Sequence, residues 1–250
     1  VRSQFEPADP ASCRMALGLD PRRPVVLITG GSQGASAINQ LMLEALPALA
    51  RTAPELQFLH LTGPNDAERV QAAYAAARCK AVVRPFLTEM ELALGAATVA
   101  ISRAGASSQA ELAAMRVPSI LIPYPFAADD HQYSNAQAFA RTGAALMLEQ
   151  AKASGDQLAR MIASLCRDAA GRAAMANELA RWHAPRAAEI IVDQMIRSMT
   201  LRNLWPAEPV RSAERGMRSG EVGMRNGERA NFSDSQPSTL NSQLIQSTPH

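Results

Sequence analysis

Several kinds of residue are scarce in this chain, and each shortage closes off a class of function. Cys13, Cys79 and Cys166 are the only cysteines. They are odd in number and widely scattered, which fits neither a disulfide scaffold nor a metal motif and predicts a reducing compartment. The formal net charge is only +2 over 250 residues, so the electrostatic footprint of a nucleic-acid binder is missing and no nucleic-acid partner is expected. No apolar run approaches the roughly 20 residues of a membrane span. The opening VRSQFEPADP has no apolar stretch of the signal-peptide kind, and a cytoplasmic location is the expectation. What remains is ordinary for a soluble globular protein: 47% hydrophobic and 19% charged residues, enough for one generous domain or two small ones.

From about residue 24 to 148, short apolar runs alternate with helical stretches. PVVLITG, LQFLHLTG, AVVRPF, TVAISRAG, SILIPYP and AALML read as strands, and their leucine-rich and β-branched character suits burial on both faces. Ile38, Leu41, Met42, Ala45, Leu46 and Leu49 fall on one helical face; Leu112, Met115 and Phe139 occupy similar positions. Repeated strand–helix units predict an α/β fold with a doubly wound parallel sheet, whose ligands sit beyond the carboxyl ends of the strands. Residues 155–198 read as all-helical, with breaks near Asp168–Gly171 and His183–Pro185. Beyond Trp205 the apolar content collapses and GMRSGE is nearly repeated as GMRNGE. That composition cannot offset its ordering entropy, so the segment reads as a disordered tail, with partner binding as the alternative. The expected boundaries are an N-terminal junction at 1–23, a ligand-binding domain at 24–198 and a tail at 199–250.

Three turns after strands carry the chemistry. In the first, Gly30-Gly31-Ser32-Gln33-Gly34 runs from a strand into a helix. Glycines let backbone N–H groups approach a ligand, and a helix N-terminus adds unpaired donors and a positive dipole end. Together they form a phosphate or pyrophosphate cradle, to which the Ser32 hydroxyl adds a donor; a plain tight turn is the bland alternative. A nicotinamide dinucleotide site is the competing reading. TGGSQGAS has Ser36 where the short-chain dehydrogenase pattern needs its last glycine, and no Tyr-x-x-x-Lys pair occurs. The second strand ends in LHLTG, without the acidic residue that grips a ribose.

The second turn, SRAGASSQAEL, repeats the arrangement. Ser108 and Glu111 have capping-box spacing, so both side chains could be spent on backbone N–H groups. In the other reading the helix start faces a phosphate and Glu111 accepts from sugar hydroxyls. The third element, PYPFAADDHQYSNA, places His131-Gln132 at a helix entrance, where they could donate to and accept from a hexose. Asp129, Asp130 and His131 could be a metal set, but a helix-capping role for Asp129 or Asp130 is the better reading.

Taken together, GGSQGA at 30–35, SRAGASSQAEL at 102–112 and VPSILIPYPFAADDHQYSNA at 117–136 resemble the C-terminal half of the MurG family of inverting glycosyltransferases (glycosyltransferase family 28, GT-B fold). These enzymes transfer N-acetylglucosamine to the lipid-linked muramoyl-pentapeptide precursor of peptidoglycan. The resemblance spans residues 1 to about 198. It implies that Ser32 and the Gly31 and Gly34 backbone hold the donor diphosphate, that Ala106, Ser107 and Ser108 supply backbone donors, and that Glu111 takes the ribose hydroxyls. It further implies that His131 and Gln132 read the sugar, that Phe86 walls the uracil and that the Leu87 backbone reads it. Val1-Arg2 resembles the end of the family's N-P-V-R segment, which would bring Arg2 near the nucleotide.

The implied partner is UDP-N-acetylglucosamine, with no cofactor and no metal, since helix N-termini can neutralise the departing diphosphate. The lipid-linked acceptor would be reached only through an N-terminal half that nothing in this sequence resembles, and a complete enzyme would sit against the inner face of the cell membrane. The general base is not identified, because structural roles fit His60 and His183 better. Three readings stay open: a fragment inactive alone, a donor-binding subunit served by an acceptor-half protein in trans, and a non-catalytic UDP-sugar sensor.

Overall fold

The computed structural model describes residues 4–31 and 34–201. The six expected strands all form: β1 (Val25–Thr29), β2 (Gln57–Leu61), β3 (Lys80–Arg84), β4 (Val99–Ser102), β5 (Ser119–Leu121) and β6 (Leu146–Met147). They make one parallel sheet in the order β3-β2-β1-β4-β5-β6. The fold is a doubly wound, Rossmann-like sheet flanked by helices. Every residue of β1, β2 and β4 is buried, which explains their near-continuous apolar character. β5 is shorter than its apolar run because Pro123 and Pro125 follow it and cannot donate to a ladder.

The intervening helices are α1 (Pro10–Ala16), α2 (Ser36–Thr52), α3 (Ala67–Ala76), α4 (Met90–Ala96), α5 (Ala106–Met115) and α6 (His131–Thr142). After the sheet come α7 (Gly155–Arg167), α8 (Ala169–Trp182) and α9 (Ala187–Leu201). The apolar face read from Ile38 to Leu49 is buried, and α2 packs against α7, α5 against α8 and α1 against α4. The break between α7 and α8 sits at Asp168, whose side chain accepts from Gly171 N–H and so starts the second helix.

Helix α1 lies inside the stretch read as an N-terminal junction, 1–23, and it packs against α4. Cys13 is buried there against Gly95, where an added Cβ would lie 2.7 Å from the Cys13 sulfur. Among the described residues no helix is long and apolar enough to cross a membrane. Of the tail expected at 199–250, residues 199–201 belong to α9 and the rest lies outside the described residues.

Candidate functional site

Strand order reverses between β1 and β4, and this switch point is where a doubly wound sheet opens a crevice. The two strands are direct neighbours with Thr29 opposite Ser102, so the connections to α2 and α5 leave the sheet side by side, about 5 Å apart at their roots. A cavity of about 280 Å³ lies over this point. Thr29, Gly31 and Ser102 belong to its strand-end side, and α5 contributes Ser107, Ser108, Glu111 and Leu112. Leu61, Pro85, Phe86, Met90 and Leu94 make the other side apolar. Phe86 is 55% exposed, a large uncovered ring at the edge of a mostly apolar wall.

The helix starts differ in how they are capped. Asp9, Ser154 and Asp168 cap α1, α7 and α8 with side-chain oxygens. The N-caps of α2 and α5 are Ala35 and Gly105, which have no side-chain oxygen to offer, so the opening N–H groups of both helices remain for another acceptor. This also decides the reading of Ser108. Helix α5 begins at Ala106 with Gly105 as N-cap and no side-chain capping bond, so Ser108 is the third helical residue and no capping box forms with Glu111.

Inside the first loop, Gly31 N–H donates to Thr29 Oγ1 at 3.3 Å and Gly34 N–H closes the turn on Gly31 O at 3.0 Å. Both glycines have positive φ, +86° and +73°. Gly34 also lies so close to the end of β2 that a Cβ would meet Thr62 O at 2.3 Å. Arg2 and Ser32 lie outside the described residues.

The second loop is clamped from α6. Gln132 Oε1 accepts from Ala104 N–H at 3.3 Å and Tyr124 N–H at 3.0 Å, while Asn135 Nδ2 donates to Ala104 O at 3.1 Å. Arg103 is buried, donates to Ile122 O and Pro123 O at 3.1 and 3.2 Å, and lies 5.3 Å from the Tyr124 ring centre. Burial lowers its pKa. These contacts fix the peptide before Gly105, and hence where α5 aims its N-terminus.

Of the residues singled out from the sequence, the structure brings Gly31, Phe86, Ser107, Ser108 and Glu111 to one cavity. Gly34 shapes the loop from behind, and Leu87 buries its side chain in the core. Ala106 opens α5 without lining the cavity. His131 and Gln132 also stand outside the cavity lining: His131 is exposed, with Nδ1 2.7 Å from Ala128 O, and the Gln132 carbonyl oxygen is taken by two main-chain amides. Asp130 does occupy the N-cap position of α6, but its side chain makes no capping bond, and Asp129 and Asp130 are both left-handed, at φ 49° and 50°.

Sequence reading missed Thr29, Ser102, Met90 and Leu94 as cavity residues. The Met90/Leu94 spacing of four was the available signal for an apolar helical face. Among the described residues no group of three or more His, Cys, Asp or Glu side chains is placed to hold a metal ion.

His60 is fully buried under this end of the sheet. Its Nε2 lies 2.9 Å from Asn39 Oδ1 and its Nδ1 3.2 Å from the Tyr74 hydroxyl. Since the Asn39 amide nitrogen donates to Thr62 O and Asp66, Asn39 Oδ1 must accept, which puts the single imidazole proton on Nε2. Burial pulls the His60 pKa down to about 3. It is a neutral structural group.

Residues 25–191 match the glycosyltransferase family 28 C-terminal domain. The UDP-N-acetylglucosamine–N-acetylmuramyl-(pentapeptide) pyrophosphoryl-undecaprenol N-acetylglucosamine transferase of Anaeromyxobacter sp. (strain K) is 40% identical over 171 residues, 68% of this chain and 45% of that protein. The enzyme of the same name from Synechococcus elongatus is 43% identical over 185 residues, 74% and 48% of the two chains. The crystal structure of Acinetobacter baumannii MurG superposes with a TM-score of 0.65 at 31% identity, covering 80% of this chain and 56% of that one. The chain thus spans about half the length of the curated relatives it matches.

Proposed function

The chain belongs to the glycosyltransferase family 28 C-terminal domains, and from that premise we propose that residues 24–198 are the donor-binding half of a GT-B N-acetylglucosaminyltransferase of peptidoglycan synthesis, binding UDP-N-acetylglucosamine. One observation carries the reading: the glycine loop that leads into α2 and the uncapped first turn of α5 share one cavity at neighbouring strand ends. In this reading the diphosphate lies across the starts of α2 and α5, with Ser32 and the loop amides around it. Glu111 accepts from the ribose hydroxyls, and the uracil rests on the apolar wall with Phe86, against the Leu87 backbone. Arg2 lies near the nucleotide. His131 and the remaining Gln132 amide donor face the sugar.

The reaction is a displacement at the sugar's anomeric carbon. An acceptor hydroxyl oxygen forms the new bond, the carbon–oxygen bond to UDP breaks, and its electron pair leaves on the diphosphate. Negative charge therefore grows on the phosphate oxygens as the bond stretches. Fixed N–H donors and helix dipoles aimed there stabilise the transition state more than the ground state. The hydroxyl proton goes to a base on the acceptor side.

That side, with the lipid-linked muramoyl-pentapeptide, is served by an acceptor-binding half corresponding to the part of the relatives this chain does not span. It is carried in the same polypeptide or supplied by a separate protein in trans. The working location is cytoplasmic, peripheral to the inner face of the membrane.

Calorimetric titration tests the donor reading. UDP-N-acetylglucosamine binds without added magnesium, and a preference for NAD overturns the assignment. Replacing Glu111 by Gln weakens nucleotide binding about tenfold or more, the cost of losing a charged hydrogen-bond acceptor, a larger effect than that on the melting temperature. Sugar transfer restored by an added acceptor half separates the transferase from a UDP-sugar sensor.

A further inference from the structure

A second cavity, of about 270 Å³, lies beside the connection from β5 to α6, bounded also by the turn after β6. Its charged groups are both carboxylates. The Asp130 carboxylate has no ion-pair partner among the described residues, and Glu149 pairs at 2.8 Å with Lys152, whose side chain is 74% exposed. Gln150 Oε1 is buried with no hydrogen-bond partner, an amide left uncommitted by the fold. Two half-exposed tyrosines, Tyr124 and Tyr133, add ring faces. Arg103 already covers Tyr124 at 5.3 Å, leaving Tyr133 as the ring available to a second cation. Pro123 and Pro125 complete an apolar wall.

We propose that this cavity is a subsite for a primary alkylammonium group, such as a lysine-type side chain of a peptide, with the cation between Asp130, Glu149 and the Tyr133 ring and its methylene stem along the prolines. A neutral sugar is the poorer fit. It brings no positive charge to two carboxylates and an aromatic side chain lining one cavity, the combination that attracts a cation. Lys152 is the built-in competitor, since its own ammonium holds one of the two carboxylates.

The test titrates the full chain with Nα-acetyl-lysine amide, followed by heteronuclear NMR, with Nα-acetyl-norleucine amide and N-acetylglucosamine as neutral controls. The lysine probe shifts resonances of Tyr133, Gln150 and Ala151, and neither control does. Glu149→Gln and Asp130→Asn each weaken binding about tenfold, and Lys152→Ala tightens it about threefold by removing the competing cation, in the range of partly exposed ion pairs and cation–π contacts. Asn tolerates the left-handed backbone at position 130, and Lys152 is too exposed for its loss to unfold the chain, so at least these two variants report on the site. Equal binding of the norleucine or sugar probe, or no gain from Lys152→Ala, overturns the proposal. No probe carries a nucleotide, so failure here and failure of donor binding are separable.

Discussion

Gly31 and Gly34 share a left-handed backbone but differ in what surrounds them. A methyl at Gly31 meets nothing within 4 Å, whereas at Gly34 it would strike Thr62 O at 2.3 Å. Gly31→Ala should therefore cost only the left-handed penalty, about 1–2 kcal/mol. Gly34→Ala adds a steric collision with backbone that cannot move without breaking the join to β2, and should cost about 3 kcal/mol or more. Urea unfolding of the two variants checks the order; equal losses would mean that the loop is not packed on β2.

His60 makes a second prediction, in pH. The unfolded imidazole takes a proton near pH 6.5, but the buried one resists until about pH 3. Between those values the unfolded state holds one more proton, so stability from this group is present above pH 6.5 and is lost as pH falls. The slope is about 1.4 kcal/mol per pH unit. Unfolding free energies at pH 7, 6 and 5 measure it, and His60→Gln should remove about one proton's worth of slope. An unchanged slope would show that some other group sets the acid limit.

At the scale of elements, the decisive feature is that α2 and α5 start without capping side chains, and a substitution can separate the two uses of such a start. Ser107 is exposed in the first turn of α5 and lines the cavity. Ser107→Asp places a negative charge at the positive end of the helix, which stabilises the fold by about 0.3–1 kcal/mol. The same charge repels a diphosphate, so nucleotide affinity should fall while the melting temperature holds or rises. A loss of both would return α5 to a purely structural role.

Strands and long helices were legible because burial on both sheet faces and a 3.6-residue period leave strong patterns, as the Ile38-to-Leu49 face illustrates. Helix α1 was readable in principle, from Asp9 as N-cap, Pro10 at the first turn and Gly18 after the end, but its short apolar content hides it. The capping-box spacing misled because one glycine, Gly105, moved the helix start back by three residues. No local pattern reveals the Gln132–Ala104 and Asn135–Ala104 clamps, which join residues 28 and 31 positions apart. Nor does any reveal the cavity floor, which depends on β1 and β4 being neighbours.

For the whole molecule, the question is whether a chain that spans about half the length of its relatives can bind the proposed donor by itself. The sheet, its flanking helices and the cavity at the switch point belong to one unit with a continuous apolar core, and every cavity wall comes from that unit. Donor binding should therefore not wait for an acceptor half, whereas transfer must. A ligand present at about 100 times its dissociation constant stabilises the folded state by about 2.7 kcal/mol. At about 2–4 °C per kcal/mol for a domain of this size, the melting temperature should rise by roughly 5–10 °C. UDP-N-acetylglucosamine should give this shift with the chain alone, and on the proposed reading, with main-chain donors holding the diphosphate, chelation of divalent ions should leave it intact. A shift that appears only with magnesium would move the charge balance from helix termini to a cation. A shift that appears only when an acceptor half is added would mean that the cavity is completed across the two halves.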